Sequence, residues 1–170
     1  VMAVGIMLGT GGSAIVAKKL GEGDGDGARS IFSLIVITGI AAGIIVMALG
    51  LIFIDPLIKM LGASENIYDY CRDYAFWIII FSVPSILQLM FQTFFVTAGK
   101  PNLGLVTTIC GGLMNVVLDY YFIAVLNMGV SGAALATGIS YCIPGFFGLA
   151  YFLLNRKGSI YIVKPVKDFD

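Results

Sequence analysis

The stretch "IFSLIVITGIAAGIIVMALGLIFI" (31–54) runs from end to end without a charged side chain. A helix rises 1.5 Å per residue, so about 20 residues cross the hydrocarbon of a bilayer, and this run is long enough. Apolar residues occupy consecutive positions, with none of the alternation of a barrel strand. A single apolar segment in lipid satisfies its backbone only as a helix. Residues 31–54 are therefore read as a membrane-spanning helix. Four further apolar runs follow the same pattern, at 1–17, 75–98, 103–126 and 130–154. The first is shorter than a span and opens on Val1 with no charged leader region and no small-residue cleavage site, so it is not read as a signal peptide. It reads as the remainder of a span, and the chain as a piece of a longer protein.

The composition agrees. Hydrophobic residues make up 59% of the sequence and charged ones 12%, where a soluble domain carries about a quarter. The mean hydropathy is +0.98. A chain this short leaves much of its surface exposed, and water would not tolerate that surface. The formal net charge is zero, so no basic field attracts nucleic acid. Histidine is absent, which removes the usual zinc ligand, general base and pH switch together. Cys71, Cys110 and Cys142 form no metal or disulfide spacing and are read as small packing residues.

The connections carry an asymmetric charge. Lys18, Lys19 and Arg29 flank the first, Lys100 marks the third, and Arg156, Lys157, Lys164 and Lys167 fill the tail. The second holds Lys59 and Arg72 among Asp55, Glu65, Asp69 and Asp73, and the fourth holds no basic residue. Eight of the 10 basic residues thus fall on alternate connections, which the positive-inside rule places in the cytoplasm. The expectation is an all-α, multi-pass membrane protein of five transmembrane helices. Residues 1–154 form a partial transmembrane lobe and 155–170 a cytoplasmic linker. Gly5 with Gly9, and Gly39 with Gly43, give the small-residue spacing of closely packed membrane helices. Pro84 and Pro144 lie inside spans, where each frees a carbonyl one turn earlier and permits a bend.

Asp119 is the one charge inside a span, seven residues from Leu126 and so about 10 Å along the helix. Burying a charge there costs about 3 kcal/mol or more, so such a group faces a cavity or a partner. Asn115, four residues earlier, shares its helical face. The short turn 127–129 folds the last two spans into a hairpin. Asp119 stands nine residues before Met128 and Thr137 nine after it, at equal depth. Small neighbours (Ala133, Ala134, Ala136, Gly138) let the two helices approach. A carboxylate, an amide and a hydroxyl then form an oxygen site for a hard monovalent cation such as Na⁺, or for a proton on the carboxyl. The competing reading is an aspartate hydrogen-bonded across two helices as a structural tie. Gln88 and Gln92 share a face of the third span, where they either bond to neighbouring helices or, with Tyr120, line a solvated path; Tyr121 reads as an interfacial belt residue.

Three motifs fail on chemistry. Residues 22–27 begin like a calcium loop, but the closing acid falls on Ser33. Gly129-Val130-Ser131-Gly132 matches an intramembrane serine protease motif that needs a histidine. The acids near Gly21 and near Tyr68 lie on opposite sides of the membrane, so they cannot share a proton.

"MNVVLDYYFI" (114–123) followed by "MGVSGAALATGIS" (128–140) resembles the fifth and sixth helices of the multidrug and toxic compound extrusion (MATE) family. "LGTGGSAIVAKKLGEGD" (8–24) resembles the end of that family's second helix and its following loop, and "FFVTAGKPNLG" (94–104) its fourth-to-fifth connection. The resemblance implies that the five spans are helices 2–6 of a six-helix transporter lobe, with the first helix and a second lobe outside this sequence. It implies export of small organic substrates, cationic ones included, against an H⁺ or Na⁺ gradient, at the plasma membrane and without a bound cofactor. The cation ligands of some prokaryotic members fall on Asp119, Asn115 and Thr137. Tyr120 stands where many members have proline, which puts the local kink in question. Two other readings remain: a lipid-linked oligosaccharide flippase of the same superfamily, disfavoured because no span contains Lys or Arg, and a structural membrane subunit. A membrane enzyme is opposed by the missing histidine.

The topology has a direct check. Single cysteines at Gly25 and Ser64, in a background lacking Cys71, Cys110 and Cys142, should react with an impermeant reagent from opposite sides of the membrane. Reaction from one side only would overturn the five-span reading.

Overall fold

The computed structural model describes residues 1–158 and 160–163. It is all-helical, with seven α-helices: α1 (Met2–Gly21), α2 (Gly25–Ile52), α3 (Ile54–Met60), α4 (Tyr68–Ile80), α5 (Ser82–Thr97), α6 (Pro101–Asp119) and α7 (Val130–Leu154). A π-helical turn, Tyr120–Val125, continues α6.

Among the described residues, three helices are long and apolar enough to cross a membrane: α2, α6 with its π turn, and α7. The α4–α5 pair makes a fourth if its two arms count as one bent span. The first expected span is helical but does not join that set, since Lys18 and Lys19 occupy its last turn. Length and composition therefore support three or four crossings where the charge pattern led to five.

The run boundaries shift for physical reasons. Asp24 caps α2 by accepting the Gly27 N–H at 2.9 Å, which starts the helix ahead of the apolar run. That bond, helped by Lys19 at 3.4 Å, holds the Asp24 carboxyl below its ordinary range. Its cap is thus retained above the ordinary pKa and lost as pH falls through the lowered one. The second run breaks at Phe53, and Asp55-Pro56 starts the short α3 instead of ending a span; proline is well placed in a first helical turn. Residues Tyr68–Tyr74, read as connection, are helical in α4. Asp55 clasps α3 to α4 by accepting from the Tyr68 hydroxyl at 2.7 Å and pairing with Arg72 at 3.1 Å. The last run, 130–154, coincides with α7.

Pro84 acts where the sequence indicated. Its ring cannot bond the carbonyl of Ile80, and the chain breaks at Phe81 with a 53° bend between α4 and α5. Pro144 leaves α7 continuous.

Helix α5 lies at the centre, packed on α1, α2, α6 and α7. Glycine notches receive it. A Cβ at Gly5 or Gly9 would stand 3.1 Å from Leu89 or Thr93, and at Gly39 or Gly43 it would stand 3.1 Å from Met90 or 2.8 Å from Val83. Both expected glycine pairs therefore seat the same helix. The buried core is aromatic: Phe152 of α7 lies 4.8 Å from Phe32, 5.5 Å from Phe91 and 5.2 Å from Phe95, ring centre to ring centre. All of these sit toward the helix ends that carry the lysine-bearing connections.

A contrast tests this packing. A Cβ at Gly138 would run into the Phe81 ring, whereas one at Gly112 meets nothing within 4 Å. Gly138→Ala should lower stability by about 1–3 kcal/mol and Gly112→Ala by less than about 0.5 kcal/mol. Thermal unfolding in detergent reads both, and equal losses would show that the α7–Phe81 contact is loose.

Candidate cation site

The α6–α7 hairpin builds the site. Asn127, at φ 54°, and Gly129, at φ 64°, reverse the chain in the left-handed region that asparagine and glycine tolerate. The two helices then approach over small residues: a Cβ at Gly111 would lie 3.1 Å from the Ser140 carbonyl oxygen and 3.4 Å from the Pro144 ring. Pro144 has no N–H for that carbonyl, so the closest approach of α6 falls on a freed acceptor.

Two of the three expected residues are in direct contact, though not the pair at equal depth: Thr137 meets Asn115 rather than Asp119. The Asn115 amide Nδ2 donates to Thr137 Oγ1 at 3.3 Å, while the Thr137 hydroxyl donates to the Ala133 carbonyl at 2.9 Å. Asp119 stands one turn beyond Asn115 and hydrogen-bonds to neither. Its residue is half-buried, and its Oδ1 is buried and accepts no hydrogen bond from any described residue. The side-chain hydrogen bond made across this hairpin is Asn115–Thr137.

A cavity of about 260 Å³ opens beside that tie, lined among others by Gln88, Thr108, Asn115, Thr137, Ser140 and Tyr141. Gln88 of α5 is among its lining residues. Gln92 is exposed and Tyr120 is 70% exposed, and neither lines the cavity. Thr108, Ser140 and Tyr141 were missed. Thr108 could have been found seven residues before Asn115 on the same face, but Ser140 and Tyr141 look ordinary in a small-residue helix. A larger cavity, about 600 Å³, lies between α3, α4 and the start of α7. Ile58, Leu61, Ile67 and Tyr74 make it apolar, and it holds none of the expected site residues.

The helix changes form directly after Asp119. From Tyr120 to Val125 the backbone is π-helical, with the Leu126 N–H reaching back to the Tyr121 carbonyl at 3.0 Å. Such turns frequently mark functional positions. The sequence put the kink in question because Tyr120 replaces proline, yet the irregularity is present without one. The donor set is one carboxylate with neutral amide and hydroxyl oxygens. No cluster of three or more Cys, Asp or Glu exists among the described residues, so the chemistry suits a monovalent cation or a proton rather than a transition metal.

Known proteins resemble the chain over nearly its whole length. The MatE family model matches residues 1–121. The multidrug export protein MepA of Staphylococcus haemolyticus is 30% identical over 167 residues, which are 98% of this chain and 37% of the relative. A multidrug resistance MATE family transporter of the MOP superfamily, solved in an inward-facing conformation, superposes with a TM-score of 0.89 at 25% identity. That match covers 98% of this chain and 39% of the other. A MATE structure in complex with MaD3S gives 0.90 at 25% identity, over 99% and 38%. The chain therefore spans 37–39% of the length of these relatives.

The Asn115–Thr137 tie is measurable by a double-mutant cycle. Asn115→Leu and Thr137→Val should couple by about 0.5–1.5 kcal/mol in unfolding free energy. A coupling near zero would mean that the bond is not made in the folded protein.

Proposed function

This chain belongs to the MatE family of transporters, and from that premise we propose that it forms helices 2–6 of the first lobe of a multidrug efflux antiporter. The family is one of transporters and not of enzymes. The complete protein, on this reading, exports small organic substrates, organic cations among them, across the plasma membrane against H⁺ or Na⁺. Asp119 is the coupling residue, with Asn115 and Thr137 as its neutral oxygen partners, while Gln88 borders the substrate path. Gln92 and Tyr120 belong to that path only where further helices of the protein enclose them.

One observation carries the proposal: Asp119 Oδ1 is buried and accepts no hydrogen bond from the described residues. A structural aspartate in lipid would bond both oxygens to neighbouring helices, because a lone buried charge costs about 3 kcal/mol or more. A cation or proton at this carboxylate supplies the missing partner and changes the local charge by one unit. Export follows if cation and substrate favour opposite conformations of the lobe, since a ligand moves an equilibrium only by its differential affinity. The π turn after Asp119 offers a backbone that can change register next to the carboxylate. The lysine-rich connections and the described part of the linker lie on the cytoplasmic side, and α1 and the bent α4–α5 pair complete five crossings. A flippase for pyrophosphate-linked lipids fits less well, because the cavity beside Asn115 is lined by neutral groups.

Asp119→Asn keeps the shape and removes the charge. In the full-length protein it should reduce gradient-driven efflux of a cationic dye to background, with the unfolding temperature kept within a few degrees. Normal efflux from a normally expressed variant would return Asp119 to a structural role and move coupling elsewhere in the protein.

A further inference from the structure

The segment after α7 does not leave the bundle. Beyond the turn at Asn155–Gly158 the chain folds back, and Ile160 is 1% exposed within the same core cluster as Phe32, Phe94 and Phe152. The Ile162 N–H donates to the Phe152 carbonyl at 2.9 Å, next to the end of α7. The Val163 N–H donates to Ser33 Oγ of α2 at 2.8 Å. Between them, Tyr161 lies under the Arg29 guanidinium, 4.5 Å from its ring centre. Four consecutive residues thus reach two helices through a buried apolar side chain, two backbone hydrogen bonds and a cation–π contact.

The receiving surface is built for this. Ser33 is fully buried, and its hydroxyl donates to the Arg29 carbonyl at 2.9 Å, which leaves its lone pairs for an incoming N–H. Without residues 160–163 that acceptor would face an apolar environment with no partner, an arrangement that costs free energy. Arg29 is held over the tyrosine by its pairing with Asp26 at 3.0 Å. A tail packed by chance would not bury an isoleucine among core phenylalanines and also satisfy a buried serine.

We infer that residues 160–163 are a strap that fastens the end of α7 to the start of α2, and that it stays seated throughout the working cycle. The first part of the connection moves as part of the lobe. The cytoplasmic mouth does not open between α2 and α7, and rearrangement within the lobe takes place elsewhere.

The test uses the full-length protein lacking Cys71, Cys110 and Cys142. Ser33→Cys with Val163→Cys places a thiol on each residue of the 2.8 Å contact between the Val163 N–H and Ser33 Oγ. Mild oxidation should link them almost completely, with efflux changed by less than about twofold before and after reduction. Failure to link overturns the strap. A link that stops efflux until it is reduced overturns its permanence. Only that efflux arm rests on the transport reading; the second measurement does not. Hydrogen exchange at the Ile162 and Val163 amides should be slowed at least about a hundredfold, with and without coupling cation, and Ser33→Ala should release Val163. Exchange at the rate of an unstructured peptide in either condition overturns the inference whether or not the cysteine variant transports.

Discussion

Phe152 is the contact on which the bundle depends. Lipid is as apolar as a leucine side chain, so transmembrane helices gain little from burying hydrophobic surface against one another, and packing decides whether they associate. Phe152 brings α7 against Phe32 of α2 and against Phe91 and Phe95 of α5, and Phe32 meets Phe94 edge-on at 4.7 Å. Aromatic pairs of this kind contribute about 0.5–1.5 kcal/mol each beyond their area. Gly148 makes room for the arrangement, because a Cβ there would stand 2.7 Å from the Phe91 ring. Once α7 is seated, its hairpin partner α6 is carried to the depth at which Asn115 meets Thr137.

How much of this was legible in the sequence follows from what each feature depends on. Charge-free runs announce helices because the bilayer leaves the backbone no alternative, and 130–154 was read to the residue. The glycine pairs announced close packing but not their partner; that Gly5, Gly9, Gly39 and Gly43 all face α5 is a tertiary fact. Boundaries set by local hydrogen bonds escaped, as at Asp24, whose cap extends α2, and at Phe53, where α3 begins. Counting from the tight turn paired Thr137 with Asp119, whereas Thr137 bonds Asn115, one helical turn away on the same face; the count assumed a regular helix up to the turn, and Tyr120–Val125 is π-helical. The same count could not resolve the Asp119 side chain, whose direction depends on where α6 gives way to the π turn. The fold of 160–163 onto Ser33 left no trace in composition, since a polar, basic tail reads as solvated until Ile160 is placed in the core.

Stiffness and irregularity are divided between the two ends of the bundle. Toward the lysine-bearing connections lie the phenylalanine cluster, Ile160 and the buried hydroxyl of Ser33, all closely packed. Toward the other end lie the break at Phe53, the π turn at Tyr120–Val125 and the apolar cavity under α3 and α4, with the bend at Phe81 between the two regions. Local opening is easiest where buried contacts are few and the hydrogen-bond ladder is interrupted, so the second end yields first.

Asp119 sits at the start of that yielding end, and its position has a physical consequence. On the proposed reading, a cation at its carboxylate removes one unit of charge from a helix whose next turn is held by i to i+5 bonds rather than the regular ladder. A shift of α6 beyond Asp119 disturbs neither the Phe152 cluster nor the Asn115–Thr137 bond, which lies one turn nearer the stiff half. The bond therefore works as a fixed point and the π turn as the part that can move. A charge placed deeper, below Asn115, would act on the closely packed half and meet far more resistance. A charge placed beyond Val125 would be solvated and would bias nothing. The carboxylate stands at the boundary between the regular helix and the π turn.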